Sequence, residues 1–156
     1  MITGSNKERI EQEILSLIKF IINGRVFFFQ KTGFSLQSSD DFQNHWESKE
    51  LFQSYSELRQ LELNIQLFYI KLSSYYKLVS REKVSSVAKP RNAFAHELNP
   101  IIFKGQVKYN FFLHKVTKNF KKVQFAFYEE NNGGNTKALD LDLDKDINEF
   151  INIAKK

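Results

Sequence analysis

Arg91, Asn92 and His96 fall within six residues of one another in the run Arg91-Asn92-Ala93-Phe94-Ala95-His96. Together they offer a permanent cation, a polar amide and an imidazole that titrates near neutrality. Where such a run opens a helix, the positive end of the helix dipole is added to them. All four features suit a phosphate: cation and amide hold its oxygens, and an imidazole can take or give a proton beside it. Asn92 and His96 are four residues apart and share a helix face. Arg91 is five before His96, about 140° around the axis at 3.6 residues per turn, so those two converge only near a helix start, where both lean toward the same end.

Other chemistries find little in the chain. It has no phosphate-binding glycine loop, no glycine-rich dinucleotide turn and no histidine pair at a helical metal-binding spacing. His45, His96 and His114 are scattered, and no metal or cofactor is expected. The alternation Asp140, Asp142, Asp144, Asp146 lacks the central glycine of a calcium loop and has Leu and Ile between its acids. It reads as the solvent face of a strand followed by a helix cap. With no cysteine, the chain has no disulfides, thiol chemistry or Cys-ligated zinc, which fits a reducing, cytoplasmic setting. No apolar run approaches the roughly 20 residues of a membrane span, and acids interrupt the apolar stretch after Lys7 and Arg9, so neither a membrane nor a leader peptide is expected.

Charge is unevenly spread. The net charge is +5. Lys104, Lys108, Lys115, Lys118, Lys121 and Lys122 follow the motif with no acid among them, whereas 129–149 is acidic. A face of one sign is what a polyanion-binding module needs, and those six lysines are the candidate guides for a polyanion; a solvated lysine face is the plainer alternative.

The elements that must position these residues are mostly helical. Ile10, Ile14, Leu17, Ile18 and Ile21 predict a helix over about 6–23, stopped by Gly24. Val26 to Phe29 fits either a short strand or a last buried turn. Ser38 to Asp41 offers an N-cap for a helix bearing Phe42 and Trp46. From Leu51 to Val79 the pattern is strongest: Leu58, Leu61, Ile65, Phe68, Leu72, Tyr75 and Val79 alternate steps of three and four. That is a bundle helix packed along its length, and Tyr69, Tyr75 and Tyr76 belong to packing rather than to a site. Pro90 predicts a turn near Ala88-Lys89 and a new helix that closes before Pro100.

Residues 101–122 fit a helix (Phe112, Val116, Phe120) or a strand (Val107, Tyr109, Phe111, Leu113). Val123, Phe125 and Phe127, then Leu139, Leu141 and Leu143, alternate about the Asn- and Gly-rich stretch 131–135 and predict a β-hairpin. Asp144 is then expected to cap a last helix with Ile147, Phe150, Ile151 and Ala154 on its apolar face. Sixteen Phe, six Tyr and one Trp supply core area to a chain with six Gly and two Pro. A single domain over 6–156 is expected, with ends compatible with a piece of a longer protein.

Arg91-Asn92-Ala93-Phe94-Ala95-His96 resembles the motif of the HEPN superfamily of helical-bundle ribonucleases: Arg, a polar residue, a few intervening positions, then His. The long helix preceding the motif helix is similar as well. The resemblance implies a mainly α, HEPN-like up-and-down bundle, with the hairpin before the last helix as an addition. It implies metal-independent endoribonuclease activity on single-stranded RNA in a defence, toxin or RNA-processing system. His96 would then move protons, Arg91 would hold the scissile phosphate, and Asn92 would position the phosphate or the imidazole. It further implies a homodimer with two motifs facing a shared cleft, since one histidine cannot easily serve both ends of the transfer. An antitoxin or a further domain is compatible with this but has no signal in the sequence. Pro90 and Pro100 shorten the motif helix relative to the family pattern. The superfamily also holds non-catalytic modules that bind RNA, nucleotides or proteins, and these are the alternative.

Overall fold

The computed structural model describes the backbone of residues 3–32, 42–43, 56–98, 102–103, 106–107, 111–117, 120–129 and 135–155. Among these there are four α-helices: α1 (Thr3–Thr32), α2 (Ser56–Val79), α3 (Ala88–Leu98) and α4 (Leu143–Ala154). A 3-10 helix, Arg81–Val87, leads from α2 into α3. Strands β1 (Phe42–Gln43), β4 (Phe111–Thr117), β5 (Val123–Glu129) and β6 (Asn135–Leu141) form an antiparallel sheet in the order β1-β4-β5-β6. A separate two-stranded pair joins β2 (Ile102–Phe103) to β3 (Gln106–Val107). The fold is mainly α, with the expected hairpin directly before the last helix. No helix among the described residues is long and apolar enough to cross a membrane.

The spine is α2. Its predicted stripe of Leu61, Ile65, Phe68, Leu72 and Tyr75 is buried, and Val79 packs at the edge. A second row, Glu62, Gln66, Tyr69, Ser73 and Tyr76, is buried too, because α2 has neighbours on more than one side. Against it α1 runs antiparallel: the Tyr75 hydroxyl donates to Glu11 at 2.7 Å, Lys71 pairs with Glu13 at 2.8 Å, and Gly24 lies against Leu61. Along the opposite direction α4 follows α2, with the Tyr69 hydroxyl donating to Asp146 at 2.5 Å and the Tyr75 ring 5.2 Å from Phe150.

Several local expectations are corrected. Gly24 does not end α1, which continues to Thr32, so Val26 to Phe29 is neither strand nor final turn. A Cβ on Gly24 would stand 2.8 Å from Leu61 Cδ1, so the residue permits a close helix–helix approach rather than a stop. Phe42 and Gln43 are not helical. They pair with Thr117 and Val116 and place β1 on the edge of β4. The N-cap candidates Ser38 to Asp41 and Trp46 lie outside the described residues, as do residues 51–55 at the start of the long stripe.

Pro90 opens no new helix and no turn precedes it. The 3-10 helix passes straight into α3, with the Ala88 N–H bonded to the Ser85 carbonyl, and Pro90 is the third residue of α3. A proline there has no N–H to give and its ring excludes the carbonyl four residues back, so a continuous α-helix through Ser86 is forbidden while the first turn of α3 tolerates it.

In the ambiguous segment 101–122 the described residues are strand at 102–103, 106–107 and 111–117 and a bend at 120–122. The register of β4 on β5 shifts between Leu113 and Lys115, so His114 is a bulge residue. That extra residue puts Leu113 and Val116, three apart, both in the core. The hairpin is accordingly part of a three-strand meander of seven-residue strands. Its last predicted strand residue, Leu143, is instead the first residue of α4. Asp142, not Asp144, is the N-cap residue of α4, and its side chain makes no capping bond. Asp144 and Asp146 sit in the first turn, where acids favour the helix dipole.

Candidate functional site

The seating of α3 decides what the motif can reach. Val87, Pro90 and Phe94 are buried at helical spacing on one side. The Phe94 ring meets Phe125 of β5 at 4.9 Å, edge to face, and lies 6.1 Å from Tyr69 of α2. With that side fixed in the core, Asn92 is exposed and Arg91 is half-buried at the flank. Arg91 Nη1 donates to Asn92 Oδ1 at 3.0 Å. A guanidinium carries five N–H donors, so this bond orients the group and leaves most of its donors for an anion. His96 is helical and one turn beyond Asn92 in α3; its side chain lies outside the described residues. The fold thus sets all three positions on one 11-residue helix and brings Arg91 and Asn92 into contact.

The lysine tract is placed only in part. Lys115 is in β4, while Lys104, Lys108 and Lys118 lie outside the described residues. Lys121 is exposed and Lys122 half-buried in the turn from β4 to β5. The buried Thr117 hydroxyl organises that turn, accepting the N–H groups of Lys121 at 3.1 Å and Lys122 at 3.2 Å. Phe120 has φ 59°, a left-handed conformation unfavourable for a residue with a Cβ, held here by complete burial of its ring.

Three groups escaped the sequence reading. Glu62, 1% exposed, accepts the Leu113 N–H beside the bulge and the Arg59 guanidinium, each at 2.6 Å, and so ties α2 to the sheet. Its position in the second buried row of α2 was the only available signal. Asp146 is not on a solvent face. Burial pushes its carboxyl up to about 6, against the downward pull of the Tyr69 hydrogen bond, and Glu149 and Asp142 add to the rise. Tyr69 is raised well above its ordinary range by burial and by Asp146, and Tyr76 is pushed up to about 12, mainly by burial. These tyrosines are packing residues, as their spacing implied. Finally, Lys77 and Arg81 line a shallow concavity of about 390 Å³ with Val84. Two cations four apart across the end of α2 were the signal for it.

Among the described residues no group of three or more His, Asp or Glu side chains could hold a metal ion. No family model, curated protein or solved structure matches the chain. Its own fold and site define a mainly α domain whose motif helix is seated on a small antiparallel sheet.

Proposed function

We propose that the chain is a metal-independent endoribonuclease of the HEPN type, cleaving single-stranded RNA in a defence, toxin or RNA-processing setting. The observation that supports it most directly is the Arg91–Asn92 pair at the solvent edge of α3, with position 96 one turn further along the same helix. In the reaction a ribose 2′-oxygen attacks the adjacent phosphorus as its proton is taken by a base. The bond to the 5′-oxygen breaks and that oxygen receives a proton, leaving a 2′,3′-cyclic phosphate and a 5′-OH. His96 serves as the base or the acid, and the second proton carrier is His96 of a second copy. Arg91 stabilises the charge that develops on the phosphoryl oxygens, and Asn92 holds the guanidinium in place for it.

The test is a cleavage assay on labelled single-stranded RNA with EDTA present, comparing the native chain with His96→Ala and Arg91→Ala. Metal-independent products ending in a cyclic phosphate, lost in both variants, are expected. RNA binding without cleavage by the native chain would favour the non-catalytic module.

A further inference from the structure

We propose that the surface running from the end of α2 through the 3-10 helix to Arg91 is the path along which the RNA backbone reaches the motif, with Lys77 and Arg81 as its principal phosphate-binding residues. The assignment rests on the reading of the motif as an RNA site and names the surface that serves it.

Lys77, Arg81, Lys83, Lys89 and Arg91 occur with only Glu82 between them. Of the five, Lys83 is paired, with Glu149 at 3.9 Å. Among the described residues Lys77, Arg81 and Lys89 form no ion pair. Elsewhere on the helical layer several cations are paired: Lys7 sits on Glu11, Arg9 and Lys71 on Glu13, and Arg59 on Glu62. Lys77, Arg81 and Lys89, none of them in an ion pair among the described residues, thus fall on one continuous segment that ends at the motif.

Shape adds to charge there. Lys77 and Arg81 border a concavity that the half-buried Val84 also lines. A recess with an apolar wall and two like charges focuses a positive field, and that arrangement costs stability unless an anion shares it. An arginine fork beside a lysine point charge is a pairing suited to phosphate oxygens. From Arg81 to Arg91 the chain climbs at about 2.0 Å per residue in the 3-10 helix and about 1.5 Å in α3, so the two guanidinium-bearing positions are at most about 20 Å apart, the span of a few nucleotides. An anionic lipid surface fits less well: the apolar residues of the 3-10 helix, Val84 and Val87, pack toward the core, leaving Ser85 and Ser86 outward.

Binding of a short labelled single-stranded RNA is measured by anisotropy over a salt series, using the full chain carrying His96→Ala so that the probe survives. Lys77→Gln with Arg81→Gln should weaken binding about tenfold and flatten the slope of log affinity against log salt by about 1.4, near 0.7 for each phosphate that the pair no longer neutralises. Lys145→Gln with Lys155→Gln removes the same net charge from α4 and should leave both quantities unchanged. Equal weakening by the two pairs would overturn the path by reducing it to net charge, and no weakening by the first pair would do so directly. Binding to phosphatidylserine vesicles in preference to RNA would overturn it in favour of a membrane. Cleavage by the native chain with normal binding by the Lys77/Arg81 pair would leave the motif reading standing and remove the path; absence of cleavage with binding abolished in that pair would do the opposite.

Discussion

The ring of Phe94 stands edge-on to that of Phe125 at 4.9 Å, so the helix bearing Arg91, Asn92 and His96 is keyed to an interior strand of the sheet as well as to α2. Phe94 is fully buried, and its removal takes away the largest anchor of an 11-residue helix. Phe94→Ala should cost about 3–5 kcal/mol and Phe94→Leu clearly less, read from urea unfolding at constant m-value. A loss below about 1 kcal/mol for the alanine variant would mean that α3 is held by something other than this ring pair.

Asp146 gives the fold a pH dependence of unusual sign. Its carboxyl is raised from 3.8 to about 6, mainly by burial against α2, with Glu149 and Asp142 repelling its charge and Tyr69 and Lys145 opposing the rise. A folded-state value above the unfolded one means stability is greatest below about pH 4 and is lost as pH climbs through about 6. The loss should be on the order of 1–2 kcal/mol after allowance for partial solvent access. Asp146→Asn keeps an acceptor for the Tyr69 hydroxyl, should flatten that segment of the profile and should raise stability at pH 7. Glu13 acts in the opposite direction: its hydrogen bond to Lys71 lowers its carboxyl below the ordinary 4.5, so its contribution disappears only as pH falls further. Thermal melting from pH 4 to 8 separates the two, and an unchanged profile in Asp146→Asn would refute the assignment.

What was legible in the sequence follows from how local each signal was. From Leu61 to Val79 the stripe of α2 survives because one helix packed along its length leaves an unbroken record. The hairpin was equally readable, since β5 and β6 pair across only residues 130–134 with no irregularity. Gly24 misled because a helix stop and a close helix–helix approach use the same residue, and only the position of Leu61 distinguishes them. Phe42 could not be assigned locally, because the strand it joins lies some seventy residues later. In β4 the bulge at His114 puts Leu113 and Val116 on one face, so strict alternation does not run through the strand. For the site, residue types and spacing placed Arg91 and Asn92 together on one helix, yet the concavity of Lys77 and Arg81 depends on the 3-10 turn that brings Val84 beneath them.

Gly24 offers a second test of packing. Alanine is worth about 1 kcal/mol over glycine in a helix interior, so Gly24→Ala would ordinarily stabilise α1. Here the added Cβ would stand 2.8 Å from Leu61 Cδ1 and 3.3 Å from its Cβ and Cγ, and Leu61 is itself buried. The overpacking should outweigh the propensity gain and leave a net loss of about 1–2 kcal/mol. Combining it with Leu61→Ala should cost less than the sum of the two single changes; strict additivity in that cycle would show that the two residues do not interact.

Gln66 lies in the second buried row of α2, fully enclosed, and neither its amide nitrogen nor its amide oxygen has a hydrogen-bond partner among the described residues. A buried amide without partners costs about 1–3 kcal/mol of desolvation. Gln66→Met keeps the length and flexibility of the side chain while removing the polar atoms, and should stabilise the protein by about 1 kcal/mol. A destabilisation of that size in chemical unfolding would instead mark Gln66 as a residue whose amide is engaged.

The proposed composite site has a kinetic signature that does not depend on seeing the dimer. Transfer to a 2′-oxygen needs one group to take a proton and another to supply one, and general acid or base assistance at each is worth about 10²–10⁴-fold. Within the motif each chain has only His96, so two copies sharing a cleft supply both roles. Two Arg91 guanidinium groups there would repel one another unless a phosphate lay between them, which ties full assembly of the site to the substrate. If both imidazoles are needed, co-refolding native chain with increasing amounts of His96→Ala should lower activity as the square of the native fraction, because only native–native pairs cleave. A chain that acts alone would lose activity in simple proportion. The mixing curve decides between the two, with sedimentation confirming that the mixed species are dimers. A linear curve for a stable, freely exchanging dimer would dispose of the shared site while leaving His96 a reacting group of each chain.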